Sequence, residues 1–252
     1  MDALAAALVL AALLAAADGA KLPAYFGKPC SRSLPEPAMS ECAQSAANAG
    51  IPALTNGDKK LKIPNMNPLV VPRVSLAQGS GQINLNLTWA PLEIYGLRDA
   101  KISNMKLSWK EKTNSFDLTF PTFVMAGPYK AAGRILLLPM TGSGPSNFTF
   151  QNLKLHYSFD WPLRKGADGK EYSTLVNSKI RITDADGLKC ELNGLFNGDR
   201  RLGDQLNKFL NDNWRDVLRE LGPSMVEAAR EVVEAVIKNL INAVPVSDLF
   251  AP

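Results

Sequence analysis

The chain has 252 residues, enough for one large domain whose core needs no covalent staples. Its hydrophobic content of 46% and charged content of 21% are ordinary for a globular protein. The net charge of +4, from 28 basic and 24 acidic residues, is mild and scattered, and no basic run is interleaved with aromatics, which excludes nucleic acid as a partner.

The first stretch, MDALAAALVLAALLAAADGA, carries an uninterrupted apolar run from Ala3 to Ala17. That run is short for a membrane span and meets a polar boundary at once, so residues 1–19 are expected to be a signal peptide. Ala17-Asp18-Gly19 offers small residues for cleavage after Gly19, although the segment before the run carries Asp2 and no Lys or Arg. No later apolar run reaches the ~18 residues of a span, so the mature protein is expected to be secreted, with no stable insertion in a membrane.

Cys30 and Cys42 flank a short Ser- and Pro-rich loop and are the two cysteines close in sequence. In an oxidising compartment they are expected to pair, and closing a loop of that size stabilises the fold by roughly 2–3 kcal/mol. Cys190 is left over, as a buried thiol or an intermolecular partner. Asn86-Leu87-Thr88 and Asn147-Phe148-Thr149 are glycosylation acceptor motifs, and both asparagines fall on the wet phase of their strands.

Ser40 to Ala49 predicts a short helix that Gly50 and Pro52 stop, and Pro52, Pro64, Pro68 and Pro72 predict an extended arm over residues 51–75. GQINLNLTW, residues 81–89, then alternates without error: Ile83, Leu85, Leu87 and Trp89 share one side. The same period runs through Met105, Leu107 and Trp109, through Phe116, Leu118 and Phe120, and through Arg134, Leu136 and Leu138. Between residues 147 and 161 the dry phase passes through Phe148 and Phe150, then shifts to Leu153, Leu155, Tyr157, Phe159 and Trp161, which predicts a bulge at Gln151-Asn152. Strands at 171–183 and 188–196 follow, with turns at Ala167-Asp168-Gly169 and Asp184-Ala185-Asp186-Gly187.

From Asp204, capped by itself or Gly203, to Val244 the period becomes helical, with a break expected at Gly222-Pro223. Leu206, Phe209, Leu210, Trp214, Val217, Leu218 and Leu221 form the first apolar face; Met225 to Val244 carries a wider one. Together the two segments extend roughly 60 Å. So apolar a helix must be covered along its length, and the dry face of the sheet is the available cover. The fold class is therefore α+β, a long C-terminal helix wrapped by a strongly curved antiparallel sheet. Small residues Ala126, Gly127, Ala131, Ala132 and Gly133 would widen an elongated void beside the helix; aromatics would instead fill it solid. The periodicity leaves both open.

Residues 195–223 read LFNGDRRLGDQLNKFLNDNWRDVLRELGP, and this stretch resembles the C-terminal signature of the insect takeout and juvenile hormone binding protein family. The resemblance extends in order through Cys30 and Cys42, Gly50-Ile51-Pro52, residues 63–69 (IPNMNPL), Gly96-Leu97, residues 138–144 (LPMTGSG) and residues 244–250 (VPVSDLF), covering residues 25–250. It implies a single domain over residues 20–252, related to the tubular lipid-binding proteins, with an apolar tunnel that holds a lipophilic ligand in a haemolymph-like extracellular fluid. Members of the family have been linked to circadian output, feeding and behaviour. Juvenile hormone carriers in it hold two disulfides; three cysteines point to the takeout-like branch and away from juvenile hormone itself.

The chemistry fits a carrier and not an enzyme. The single histidine, His156, lies on the wet phase, no Gly-x-Ser-x-Gly elbow occurs, and no His/Cys cluster or complete calcium loop is present, so no catalytic site, metal or cofactor is expected. Burying ~15 carbons yields on the order of 12 kcal/mol gross, against roughly 4–15 kcal/mol for association. The wall is expected from Ile83, Leu85, Leu87, Phe120, Leu136, Leu138, Phe148, Phe150, Leu210, Leu218 and Met225, with Tyr157, Tyr95 and Trp214 as polar tips. A monomer is expected, with a receptor as an open further partner. The alternative is a protein that docks on a membrane or a partner, its cavity incidental.

Overall fold

The computed structural model describes residues 20–78, 83–135 and 138–252. The expected signal peptide and Leu136 lie outside the described residues.

Its spine is one long antiparallel hairpin: β7 (Thr113–Ile135) and β8 (Leu138–Asp160), 23 residues each, paired in a single register from Thr113 opposite Asp160 to Ile135 opposite Leu138. The run expected across residues 134–138 is thus the end of one strand and the start of the next. Along the outer edge of β7 lie, in turn, β6 (Lys101–Ser108), β5 (Leu92–Tyr95) and β4 (Ile83–Trp89). Beyond them, β2 (Leu69–Val71) pairs β5 and β3 (Val74–Gln78) pairs β4. A separate two-stranded hairpin, β9 (Leu163–Lys165) with β10 (Glu171–Ser173), follows β8, and the outer edge of β8 carries β11 (Val176–Asp184) and β12 (Gly187–Leu192). These nine strands form one open antiparallel sheet, ordered β11-β8-β7-β4-β3 along its main path.

Alternation places the side chains as the period requires: Leu87, Trp89, Phe116, Leu118 and Phe120 are buried, while Asn86 is exposed. At Gln151-Asn152 the dry face does shift, but not through a bulge. Asn152 takes φ 46° opposite Pro121, and the inward set moves on both strands together, from Phe120 and Leu153 to Phe123 and Phe150, with the register unbroken. A proline that cannot donate to the ladder facing an asparagine that tolerates the left-handed region lets both strands reverse at one point.

The first helix, α1 (Glu36–Leu54), is longer than the period suggested and continues past Gly50 and Pro52. Packing overrides propensity here. A Cβ on Gly50 would lie 2.3 Å from the Phe26 ring, so only glycine admits that ring against the helix. The disulfide joins Cys42 of α1 to Cys30 of β1 (Cys30–Ser31), which pairs in parallel with β13 (Phe250–Ala251) and ties the two ends of the fold together.

At the C-terminal end α2 (Arg200–Asp212) begins earlier than expected, because Asp199 is the cap: its side chain accepts from the Leu202 N–H at 3.1 Å. The break falls at Asn213 rather than at Gly222-Pro223. Asn213 is non-helical (φ −112°, ψ 30°), and its Nδ2 and backbone N–H both donate to the Phe209 carbonyl, at 2.8 and 3.0 Å. α3 (Trp214–Ala243) then runs 30 residues, about 45 Å, through Pro223. Buried Val217, Leu221 and Val226 hold it on both sides of the proline. α3 touches β3 and β11, at opposite ends of the sheet, and β12 as well, so the sheet curves around it. A short helix, α4 (Val246–Leu249), leads into β13. Among the described residues no helix is long and apolar enough to cross a membrane.

Candidate functional site: an apolar cavity between two helices and the sheet

The two halves of the helix–sheet interface are filled differently. Around the far part of the hairpin, large rings meet: Trp89 against Phe148 at 5.6 Å and Phe123 against Phe150 at 5.8 Å between centroids. Trp89 is fully buried, and its Nε1 donates to Ser146 Oγ at 2.8 Å. These rings belong to the buried core.

Between the two long helices the side chains are smaller. Here α1 presents Ala43, Ala46 and Ala47 while the second half of α3 presents Val232, Val233 and Val236, and between them lies a cavity of about 350 Å³. Alanine and valine side chains are too short to bridge the space between the two helices, and the interior density of a well-filled core is not reached. β6 and β7 supply the wall opposite, with Ile102, Leu107, Phe116, Leu118 and Phe120; Ile237 and Leu240 of α3 extend it. Leu22, Phe26, Leu249 and Phe250 close it from the chain's ends. Lys28 and Pro29 are the exposed lining residues, so the cavity reaches the surface beside the disulfide, whose Cys30 also lines it.

One end is aromatic. Trp161 packs 5.2 Å from Trp109 and 6.2 Å from Phe250 between ring centroids, and Lys112 sits 4.1 Å above the Trp109 ring. Three polar atoms at this end are buried without a hydrogen-bond partner, Trp161 Nε1, Asn114 Oδ1 and Arg32 Nε, whose guanidinium lies 5.0 Å from the Trp109 ring; of these residues Trp161 and Asn114 line the cavity.

Of the wall residues expected from sequence, the structure places Phe120 in the lining. Leu87, Phe148, Phe150, Tyr157 and Leu210 are buried in the main core, outside that lining. Trp214 and Leu218 border a separate open groove between the start of α3 and β11, with Arg181, Asp184, Arg215 and Arg219 around it, and Met225 packs partly buried against the main core. Ile83, Leu85 and Leu138 pair with Ile135, Gly133 and Ile135 through the backbone. Tyr95 is exposed, its hydroxyl donating to Glu93 at 2.5 Å. Ala126, Gly127, Ala131, Ala132 and Gly133 belong to the far half of the hairpin and not to the lining. Inward phase was thus correctly read at Leu87, Phe120, Phe148, Phe150, Tyr157 and Leu210, without locating the cavity. The sequence signal that could have found it is the alanine row at positions 43, 46 and 47 facing a valine row one hundred and ninety residues later.

Polar groups elsewhere are structural. His156 Nδ1 and Asp117 Oδ1 are 2.7 Å apart on the wet face, where Asp117 also accepts from Asn104 at 2.8 Å. Hydrogen bonds from Asn104 and then His156 hold the Asp117 carboxyl below its usual range. Cys190 is fully buried and free, and burial pushes its thiol up to about 12. Among the described residues no group of three or more His, Cys, Asp or Glu is placed to hold a metal ion.

Comparison with known proteins agrees with this architecture. The crystal structure of Takeout 1 from Epiphyas postvittana superposes with a TM-score of 0.80 at 27% identity, over 89% of this chain and 100% of that one. The circadian clock-controlled protein daywake of Drosophila melanogaster is 23% identical over 216 residues, 83% of each chain, and daywake of Drosophila yakuba is 21% identical over the same span. The family model described as haemolymph juvenile hormone binding protein matches residues 6–251, nearly the whole sequence. This chain belongs to the haemolymph juvenile hormone binding protein family.

Proposed function

We propose that the protein is a secreted carrier of a small lipophilic molecule, such as a terpenoid or a fatty acid, held in the cavity between α1, α3 and the sheet. The observation that carries this reading is the apolar cavity of about 350 Å³, within the range of small-molecule sites. An apolar space of that size gives its lining few dispersion contacts on one side. A ligand that fills it recovers them and withdraws its own surface from water at about 0.8 kcal/mol per methylene.

Secretion is supported by the apolar N-terminal run and by the disulfide. The Ala20 N–H donates to the Ala243 carbonyl at 2.8 Å, at the end of α3. Cleavage after Gly19 would turn that N–H into an ammonium facing the negative end of a long helix, a favourable place for a cation. Asn86, exposed on β4, is the better placed of the two glycan acceptors, since Asn147 Oδ1 already accepts from Thr149 Oγ1 at 2.9 Å.

A second reading, docking on a membrane or partner, rests on α2. Leu202 and Phe209 are exposed there, seven residues apart, beside Arg201 and Lys208. Solvent extraction of the purified secreted protein followed by mass spectrometry separates the two. A stoichiometric small lipid supports the carrier; an empty protein that sediments with liposomes sinks it and favours docking.

A further inference from the structure

The cavity's aromatic end carries an unusual pair of groups. Trp161 is 4% exposed, its Nε1 is shielded from water, and among the described residues no group accepts from it. Asn114 Oδ1 is shielded and accepts from nothing. A buried polar atom without a partner is expensive, so two at one place call for a partner that is not part of the chain.

Their placement follows from the register. Asn114 stands opposite Phe159, and the Trp161 N–H donates to the Lys112 carbonyl at 2.7 Å. Asn114 and Trp161 are therefore diagonal neighbours on adjacent strands, on the same inward face. Such neighbours lie roughly 7–8 Å apart at Cα, near enough for one small head group to reach both side chains. Asn114 holds the inward phase that Phe116, Leu118 and Phe120 continue, so an amide stands where packing alone would place another apolar residue.

Resting on the carrier reading, we propose that the ligand is a lipid whose polar end both accepts and donates a hydrogen bond, a hydroxyl or a primary amide, held between Trp161 Nε1 and Asn114 Oδ1. Trp161 offers a donor only, and Asn114 Oδ1 an acceptor only. A hydroxyl satisfies both at once. An ester or ether can accept from Trp161 but leaves Asn114 orphaned. A carboxylate would set a negative charge against the Asn114 oxygen in a lining whose single charged residue, Lys28, is an exposed one at the cavity's opening. The nearby cations do not line the cavity: Lys112 Nζ donates to the Trp109 carbonyl at 2.5 Å, and the Arg32 guanidinium lies over the Trp109 ring at 5.0 Å.

The test is competition for bound N-phenyl-1-naphthylamine in the full mature protein, using dodecan-1-ol, 1-methoxydodecane and dodecane. Each compound's strength is read as a ratio to the others, so that general weakening cancels. In the wild type the alcohol should outcompete the ether by about tenfold, the factor carried by one buried hydrogen bond made rather than left unmade. In Asn114→Leu the alcohol-to-ether ratio should collapse towards that of free partitioning. In Trp161→Phe the ether-to-alkane ratio should collapse instead, and far-UV circular dichroism should match wild type for both variants. Ratios unchanged in whichever variant folds would overturn the proposal and leave buried water as the partner of the two atoms. Wild-type protein that binds neither probe nor any of the three compounds would overturn the carrier reading, and this inference with it.

Discussion

Asn211 pairs with both backbone groups of Cys190: its Oδ1 accepts from the Cys190 N–H at 2.6 Å and its Nδ2 donates to the Cys190 carbonyl at 2.9 Å. One turn earlier, Asn207 does the same to Leu192, at 2.9 Å in each direction. Two amides four residues apart on α2 thus stand in for a neighbouring strand along the free edge of β12. The opposite edge of the sheet is closed similarly. On α1, Asn48 exchanges hydrogen bonds with Ile102 at 2.8 and 2.7 Å, Gln44 accepts from the Met105 N–H at 3.1 Å, and Ser40 accepts from the Leu107 N–H at 2.9 Å. Open strand edges invite association with other chains, and here helices cover them.

Replacing Asn211 with Ala should therefore cost about 1–3 kcal/mol, because the Cys190 N–H and carbonyl lose their partners at a buried position. The urea midpoint should fall without a change in slope. A variant as stable as wild type would show that water serves these groups equally well.

Glu234, on α3, is the centre of a charged cluster. It accepts from Ser178 and Arg230 through short hydrogen bonds and from Lys238 Nζ at 2.6 Å. Burial pushes its carboxyl up, but the hydrogen bonds from Lys238, Ser178 and Arg230 together outweigh that and hold it at about 2. With the folded value depressed, the stabilisation is present above the unfolded glutamate range, about 4.3, and is lost as pH falls towards 2. The stability gap between wild type and Glu234→Gln should shrink steadily from pH 5 to pH 2 in urea titrations. A gap independent of pH would remove the cluster from the acid response.

Cys190 should be inert in the native protein. Burial holds its thiol protonated, pushed up to about 12, and thiolate is the reactive form. Iodoacetamide at pH 8 should label no thiol in the folded, oxidised protein and one per chain in denaturant, read by intact mass. Ready labelling without denaturant would place Cys190 nearer solvent than its full burial states.

Val236→Phe puts a ring into the space that valine leaves between α3 and α1. Binding of N-phenyl-1-naphthylamine should fall at least tenfold, while thermal stability should hold or rise, since the void is filled. Unchanged uptake would move the ligand out of this cavity, towards the groove at Trp214 and Leu218.

Much of the architecture was written in local pattern. Strict alternation placed Leu87, Trp89, Phe116, Leu118, Phe120 and Tyr157 inward, and two cysteines near each other gave the disulfide. The family block around Asn207 and Asn211 was readable as a signature, yet its physical reason, an edge strand capped by two amides, needed β12 beside α2. Helix ends were misread where packing overrode punctuation: the Phe26 ring seated on Gly50 carries α1 past Pro52, and Asn213, not Pro223, parts α2 from α3.

By itself, then, the sequence determined which side of each strand is dry, that a long apolar helix must be covered, and to which family the chain belongs. Only the tertiary structure decided where the interior is hollow. A period reports the direction a side chain points and nothing about what stands across from it. Trp89 meets Phe148 ring to ring, whereas Ala47 and Val236 line one cavity from two helices, because a void is the difference between a distance set by whole elements and the reach of side chains from distant parts of the chain.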